Sequence, residues 1–75
     1  MEDRVIDIKV GENLRFMREH LEMSQETLGD HLEVSYQQVQ KYEKGANRIS
    51  ASKLYKACGL FDCQIAFFFR GLPAS

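Results

Sequence analysis

The sequence lacks a long apolar run, a secretory leader and a paired metal-binding motif, and each absence excludes a class of protein. No run approaches the roughly 18 apolar residues that a membrane-spanning helix requires. The first residues, Met-Glu-Asp-Arg, lack the basic and apolar regions of a signal peptide. Cys58 and Cys63 stand without a second cysteine pair or nearby histidines, which favours buried thiols over a zinc site or a disulfide framework. We therefore expect a cytoplasmic protein without a membrane partner.

The chain also lacks an excess of basic residues, and this is an objection to nucleic-acid binding because Lys and Arg neutralise phosphates. Ten Lys and Arg residues oppose eleven Asp and Glu residues, for a formal charge of −1. The acidic residues concentrate in the first part of the chain, whereas basic residues follow one another later, at Lys41, Lys44, Arg48 and Lys53. A basic patch on one face is therefore compatible with a near-neutral total.

The 75 residues allow one small domain, whose modest buried fraction requires a compact helical core or a partner chain. Apolar residues repeat at helical spacing, and no strand pattern is present. The cap candidates Ser24, Ser35, Ser50 and Asp62 divide the chain into five predicted helices. These run from about 8 to 21, from 25 to 32, from 36 to 44, from 51 to about Gly59, and from Asp62 through Phe69. We predict an all-α domain over residues 1–75 with its core at about 8–70.

The segment from about 24 to 45 has the pattern of two short amphipathic helices joined by a tight turn. Apolar residues keep one face of each helix inward, and Gly29 stands where the two crossing helices touch. Ser35 and Gln38 form a Ser-x-x-Gln capping box, which fixes where the second of these helices begins. The pattern is that of a helix-turn-helix, whose second helix presents its first turn to DNA bases.

A helical wheel of the second motif helix separates a buried face from an exposed one. With Val39 and Tyr42 inward, the exposed side carries Gln37, Lys41 and Lys44, with Gln40 at its edge. Glu43 lies near the buried edge and needs a partner there, and Arg18 near the end of the first helix is the natural candidate. We therefore predict a structural ion pair between Arg18 and Glu43.

The segment from Gly11 to about Leu60 resembles the Xre, or Cro/CI-type, helix-turn-helix family of bacterial and phage repressors. The resemblance is carried by Gly11 with Leu14 and Arg18, Ser24-Gln25-Glu26-x-Leu28, Val34-Ser35, Tyr42-Glu43-x-Gly45 and Ser50 to Leu54. It implies a compact five-helix repressor-like DNA-binding domain and the same salt bridge between Arg18 and Glu43. It also implies that Gln25 binds phosphate and that Ser35, Tyr36, Gln37 and Lys41 face bases or adjacent phosphates.

The sequence departs from the family pattern at two positions in the motif. Glu33 stands where the turn often has Gly, and because a positive φ is costly for other residues, we expect a differently built turn. Gly29 stands where Ala is usual, which fits a tight contact but weakens the helix by about 1 kcal/mol.

The candidate DNA contacts form two sets. The base-contacting set comprises Ser35, Tyr36, Gln37, Gln38 and Lys41. The side-chain amide of Gln38 has an alternative role, which is to cap its own helix. The phosphate-contacting set comprises Gln25, Arg15, Lys44, Asn47 and Arg48. His20 and His31 are assigned no role, because they stand on different helices without matched ligand spacing.

The apolar end of the chain, Ile65 with Phe67, Phe68 and Phe69, is too continuous for one helix to bury against its own domain, since successive side chains point about 100° apart. We predict that these four residues form a twofold homodimer interface, the alternative being that they complete the monomer core. A dimer of this kind reads a pseudo-palindromic operator whose half-sites lie about one helical turn apart.

These features together predict sequence-specific double-stranded DNA binding by a dimeric transcriptional regulator, most simply a repressor. An antitoxin or a restriction-modification controller protein is the alternative within DNA binding. A protein-interaction module that has lost its DNA face is the alternative that the near-neutral charge favours. No catalytic constellation can be assembled from the sequence, so we expect no enzyme activity, cofactor, metal or small-molecule ligand.

Overall fold

The structure, a computed structural model, describes residues 1–73, and all the regular secondary structure in them is helical; residues 74–75 of the predicted domain lie outside the described part. No strand occurs in residues 1–73. The elements are α1 (Asp3–His20), α2 (Gln25–Leu32), α3 (Tyr36–Glu43), α4 (Ala51–Phe61) and a 3₁₀ helix, η1 (Ile65–Phe69). The all-α class is confirmed, with a short 3₁₀ helix in the place of the fifth α-helix. No helix in this part of the chain is both long enough and apolar enough to cross a bilayer.

Serine caps begin three of the four α-helices, as predicted. Ser24, Ser35 and Ser50 each accept a hydrogen bond at Oγ from the backbone N–H three residues further on, at 3.0, 3.1 and 3.2 Å. A cap of this kind satisfies an N–H that has no partner inside the helix and contributes about 1 kcal/mol. The caps therefore fix where the two motif helices start from local sequence alone.

The turn between α2 and α3 places Glu33 in the left-handed conformation, with φ 61° and ψ 42°. The expectation that this residue would force a different turn is therefore wrong. The Val34 N–H donates to the Gly29 carbonyl at 2.9 Å and closes α2. A Cβ on Gly29 would lie 2.6 Å from the Val34 carbonyl oxygen, so the tight contact predicted at Gly29 is with the chain entering α3.

One apolar core joins all five elements. Helix α1 packs on α3 and η1, while α2 packs on α3 and α4. A Cβ on Gly11 would lie 2.9 Å from the Glu43 carbonyl oxygen, so α1 crosses α3 at a distance that only glycine allows. The buried apolar residues are Val10, Leu14, Leu28, Leu32, Val39, Tyr42, Ile49, Leu54, Ala57, Phe61 and Phe68.

The two ends of the chain differ from the prediction. Helix α1 begins at Asp3 rather than near residue 8, and α4 continues through Gly59 to Phe61. Asp62, with φ 55°, ends α4 and does not cap a following helix. Continuation of α4 buries Phe61 against Phe68, with ring centroids 6.3 Å apart, and this packing outweighs the local stop signal of Gly59.

Asn13 anchors the C-terminal segment to α1, a role that the sequence analysis did not assign. Its buried Nδ2 donates to the carbonyl oxygens of Phe68 at 2.8 Å and Arg70 at 2.9 Å. Both N–H groups of the amide are therefore used, and two carbonyls at the end of η1 gain the partners that they lack within the short helix. This contact fixes where Phe68 enters the core.

Candidate nucleic-acid interface

The exposed face of α3 carries the predicted base-contacting residues. Ser35, Tyr36, Gln37 and Lys41 are exposed and Gln38 is half-buried, whereas Val39, Tyr42 and Glu43 are buried on the opposite face. The Ser35 hydroxyl accepts from the Gln38 backbone N–H, which is one half of the predicted capping box. The five candidates therefore lie at the N-cap and in the first two turns of α3, the part of a recognition helix from which side chains reach the edges of bases.

A polar pocket of about 160 Å³ lies beside this face, between α1, α2 and α3. Its wall contains the Arg18–Glu43 pair, with Nε 2.6 Å from Oε2 and Nη2 3.1 Å from Oε1. The pocket is lined by Arg15, Arg18, Gln25, Gln40, Glu43 and Lys44. Three phosphate candidates from two different helices and a loop therefore meet at one place.

The Arg18–Glu43 pair is shielded from solvent, with side chains only 11% and 4% exposed. Arg18 also donates to the Met23 carbonyl at 2.8 Å. The hydrogen bond to Glu43 raises the pKa of Arg18 above its ordinary value, against the lowering effect of burial. The guanidinium therefore stays charged and ties α1 to α3 and to the chain before α2.

Glu43 also positions Gln25, the phosphate candidate at the start of α2. The Gln25 Nε2 donates to Glu43 Oε1 at 3.1 Å, and Arg18 Nη2 donates to the same oxygen. A primary amide has two N–H groups, so one of them is left for an acceptor in the pocket. The N-terminus of α2 adds a partial positive charge at this place.

The predicted cations differ in whether they are already paired. Within residues 1–73, Lys41 and Lys44 form no salt bridge, while Arg15 lies 3.3 Å from Glu19. Lys53 donates to the Leu32 carbonyl at 2.7 Å and so caps the end of α2. The basic patch inferred from the sequence is therefore smaller than predicted, because Lys53 is used inside the fold.

The loop after α3 exposes Asn47 and Arg48, but Arg48 is bound to acidic residues of α1. Its Nε lies 3.1 Å from Asp7 Oδ1, and its Nη2 lies 3.1 Å from Asp3 Oδ2. Both acids raise the pKa of Arg48, with Asp7 the larger influence. This pairing could not be predicted from the sequence, because Arg48 is 41 and 45 positions away from its two partners.

The four predicted dimer-interface residues separate into three environments. Ile65 and Phe69 are exposed, at 48% and 40%. Phe67 is half-buried and packs under Arg70, whose guanidinium carbon lies 4.9 Å from the ring centroid. Phe68 is completely buried within the protomer, so its assignment to a dimer surface is wrong.

The cysteines are free thiols, and they are half-buried rather than buried as predicted. Burial raises the pKa of the Cys63 thiol, with a smaller contribution from Cys58. In the part of the chain described, no three His, Cys, Asp or Glu side chains come together as metal ligands.

The geometry of α2, the turn and α3 defines a helix-turn-helix protein. The family model described as "Helix-turn-helix" matches residues 14–68. The chain belongs to this Xre-like helix-turn-helix family, and the resemblance read from its motifs is confirmed.

Curated relatives carry names of the same class. An uncharacterized HTH-type transcriptional regulator of Sinorhizobium medicae is 47% identical over 68 residues, covering 91% of this chain and 49% of that protein. A transcriptional regulator in the ATPase CF(0) region of Rhodospirillum rubrum is 46% identical over 67 residues, covering 89% of this chain and 62% of that protein. The chain thus spans about half the length of the first relative.

Solved structures share the fold, among them the following three. The restriction-modification controller protein C.AhdI from Aeromonas hydrophila has a TM-score of 0.76 and 27% identity, over 83% of this chain and 94% of that chain. The clp gene regulator ClgR from C. glutamicum has a TM-score of 0.77 and 21% identity, over 84% and 82% of the two chains. An FeII HppE structure has a TM-score of 0.79 and 17% identity, over 92% and 40%. The last two show the fold alone, so function must be argued from the site.

Proposed function

We propose that this chain is a sequence-specific double-stranded DNA-binding domain of a transcriptional regulator that acts as a homodimer in the cytoplasm. The observation that carries the proposal is the exposed first half of α3 beside a polar pocket that gathers phosphate-binding groups. Helix α3 lies in the major groove. Gln37 pairs bidentately with adenine, and Tyr36 and Lys41 contact neighbouring base edges or phosphates.

The pocket between α1, α2 and α3 binds the DNA backbone beside the bases that α3 reads. Gln25 donates from the start of α2, and Arg15 and Lys44 supply charge from the two sides. Asn47 donates from the loop after α3. Contacts of this kind hold the helix in register on the duplex, while base specificity comes from α3.

A second protomer supplies the affinity that one small module lacks. A single module buries roughly 600–1,000 Å² on DNA, and a twofold dimer doubles that area over two half-sites. Ile65 and Phe69 offer exposed apolar surface for the dimer interface, and Phe67 is partly exposed. Occupation of an operator that overlaps a promoter represses transcription by blocking polymerase.

Selection from a random duplex library, followed by fluorescence anisotropy on a selected duplex and a scrambled one, tests the proposal. We expect tight binding to the selected duplex alone. Combined Gln37→Ala and Lys41→Ala changes should weaken specific binding tenfold or more, since a bidentate base contact contributes about 1–3 kcal/mol. Gln64→Ala with Lys56→Ala is the matched control, because both residues are exposed and lie off α3, and the ion-pair partner of Lys56 is the exposed Glu33. Full affinity in the α3 variant would refute the residue assignments.

A restriction-modification controller protein is the second candidate function. The similarity to C.AhdI, at 27% identity over 94% of that chain, favours it. Endonuclease and methyltransferase genes beside this gene, and specific binding to the DNA upstream of them, would support this candidate. Equally weak binding to all duplexes at low salt would instead indicate a protein-interaction module.

A further inference from the structure

Arg48 is held against α1 by the way the loop after α3 docks. Gly45 has φ 73°, and a Cβ there would lie 2.7 Å from the Ile8 Cα, so this loop runs directly against α1. The approach brings Arg48 beside Asp7, and Asp3 one helical turn earlier reaches the same guanidinium. Two acidic residues therefore converge on one cation at the edge of the candidate DNA interface.

The donors that Arg48 gives to these carboxylates are the donors that a phosphate would need. Nε donates to both oxygens of Asp7, at 3.1 and 3.3 Å, and Nη2 donates to Asp3 at 3.1 Å. A guanidinium binds carboxylate and phosphate through the same planar fork of N–H groups. Arg48 itself is 62% exposed, so a DNA phosphate approaching the loop can reach it.

Asp7 depends on Arg48 more than an ordinary surface carboxylate would. Its side chain is only 18% exposed. It lies at the rim of a cavity of about 250 Å³ whose wall is mostly apolar, formed by Ile6, Val10, Ile49, Leu54 and Phe69. A carboxylate with little access to water loses stabilisation when its cationic partner is withdrawn. Transfer of Arg48 to a phosphate therefore has an opposing cost at Asp7.

We propose that Asp3 and Asp7 set the DNA affinity of this domain by competing with the DNA backbone for Arg48. The proposal rests on the DNA-binding function proposed above and adds a restraint on it. The first two turns of α1 hold the loop cation in an internal ion pair, and they place two negative charges where the phosphate chain passes. A change that neutralises these carboxylates releases Arg48 for DNA.

The test is a double-mutant cycle read by fluorescence anisotropy on a mixed-sequence duplex of about 21 base pairs, two helical turns. The variants are Asp3→Asn with Asp7→Asn, Arg48→Gln, and all three changes together. The matched control is Glu2→Gln with Glu12→Gln, which removes the same amount of charge from the N-cap and the middle of α1. The control also releases a cation, because Glu12 pairs with Lys9 at 3.5 Å.

We expect the Asp variant to bind two- to tenfold more tightly than the wild type, because release of the exposed Arg48 side chain from each of its two ion pairs is worth up to about fivefold. Its plot of log K against log salt should steepen by about 0.9 for each protomer that gains a phosphate contact. In the Arg48→Gln background the same Asp changes should have no more effect than the control pair. Asp3→Asn alone should also tighten DNA binding. Asp3 is exposed at the start of α1, so this single change does not threaten the fold.

Other outcomes overturn the inference in distinguishable ways. If the Asp variant and the control pair raise affinity equally, with or without Arg48, only total charge matters and there is no competition. If loss of the two acids weakens binding only while Arg48 is present, they position Arg48 for DNA and the proposed sign is wrong. If the wild type binds no duplex at low salt, the proposed function fails, and this inference fails with it.

Discussion

Glu43→Gln is the substitution that best tests the polar centre of the domain. It keeps the size of the side chain but removes the negative charge that faces Arg18 at 2.6 Å. The guanidinium would then remain in a site where the Arg18 side chain is only 11% exposed, without its ionic partner. Removing one member of a buried ion pair costs about 3–5 kcal/mol.

This loss is large for a domain of 75 residues, whose total free energy of unfolding is about 4–11 kcal/mol. One kcal/mol corresponds to a Tm shift of about 4–8 °C in a domain of this size, so we expect Tm to fall by roughly 12 °C or more. Circular dichroism during thermal and urea unfolding measures the change. At 25 °C, the Glu43→Gln variant should unfold at a lower urea concentration than the wild type.

Two controls separate the buried charge from other causes. Glu19→Gln removes the same charge from an exposed pair with Arg15, and it should change stability by no more than about 0.5 kcal/mol. Arg18→Met combined with Glu43→Leu removes both charges and should be more stable than Glu43→Gln, because no unpaired buried charge remains. The reasoning is refuted if Glu43→Gln unfolds like Glu19→Gln, or if the double variant is the least stable of the set.

The remaining predictions concern glycine, a surface pair and a buried amide. Gly59→Ala should stabilise the domain by about 0.5–1 kcal/mol, because Gly59 lies inside α4 with open space around it. Gly11→Ala should destabilise the domain severely, because the added Cβ would collide with the α3 backbone. The Tm of each variant measures these changes. Glu33→Gln should lower the stability of the domain slightly at neutral pH, and it should remove the part of the pH dependence of stability that Glu33 contributes. Lys56 lowers the pKa of Glu33, so the stabilisation is present above pH 4.5 and disappears as pH falls through the lowered value. Asn13→Leu should cost about 2–3 kcal/mol and increase hydrogen exchange in η1, because two carbonyls lose their donor.

The motif helices could be predicted because their signals are local. Ser24 and Ser35 stand immediately before the helices that they cap, and the spacing of apolar residues marks their inner faces. The ion pair of Arg18 with Glu43 was also predictable, because a carboxylate at a buried helix edge requires a cation. The helix starts thus follow from neighbouring residues, and the ion pair follows from the rule that a buried charge needs a partner of opposite charge.

The features that were missed depend on how distant segments dock. The Asn13 amide binds the carbonyls of Phe68 and Arg70, which lie 55 and 57 positions further along the chain. Arg48 pairs with Asp7 and Asp3, which lie 41 and 45 positions before it. No rule of sequence spacing links residues so far apart. Helix η1 was overestimated because the apolar run 67–69 suggests a longer helix. Its length is instead set by the contact with Asn13 and by burial of Phe68.

The distribution of paired charges also predicts a shallow salt dependence of DNA binding. Each protomer has Lys41 and Lys44 outside the ion pairs described, while Arg15 and Arg48 must leave carboxylates before they contact phosphate. Two phosphates neutralised per protomer give a slope of log K against log salt of about −2, or about −4 for a dimer. If Arg15 and Arg48 were fully engaged as well, the dimer slope would be about −7. Anisotropy titrations over a range of salt concentrations distinguish these values, and a slope near −7 for the wild type would show that the acidic residues of α1 do not restrain Arg48. A slope near −4 would mean that charge contributes modestly, and that the proposed base contacts from α3 and the proposed second protomer supply most of the affinity.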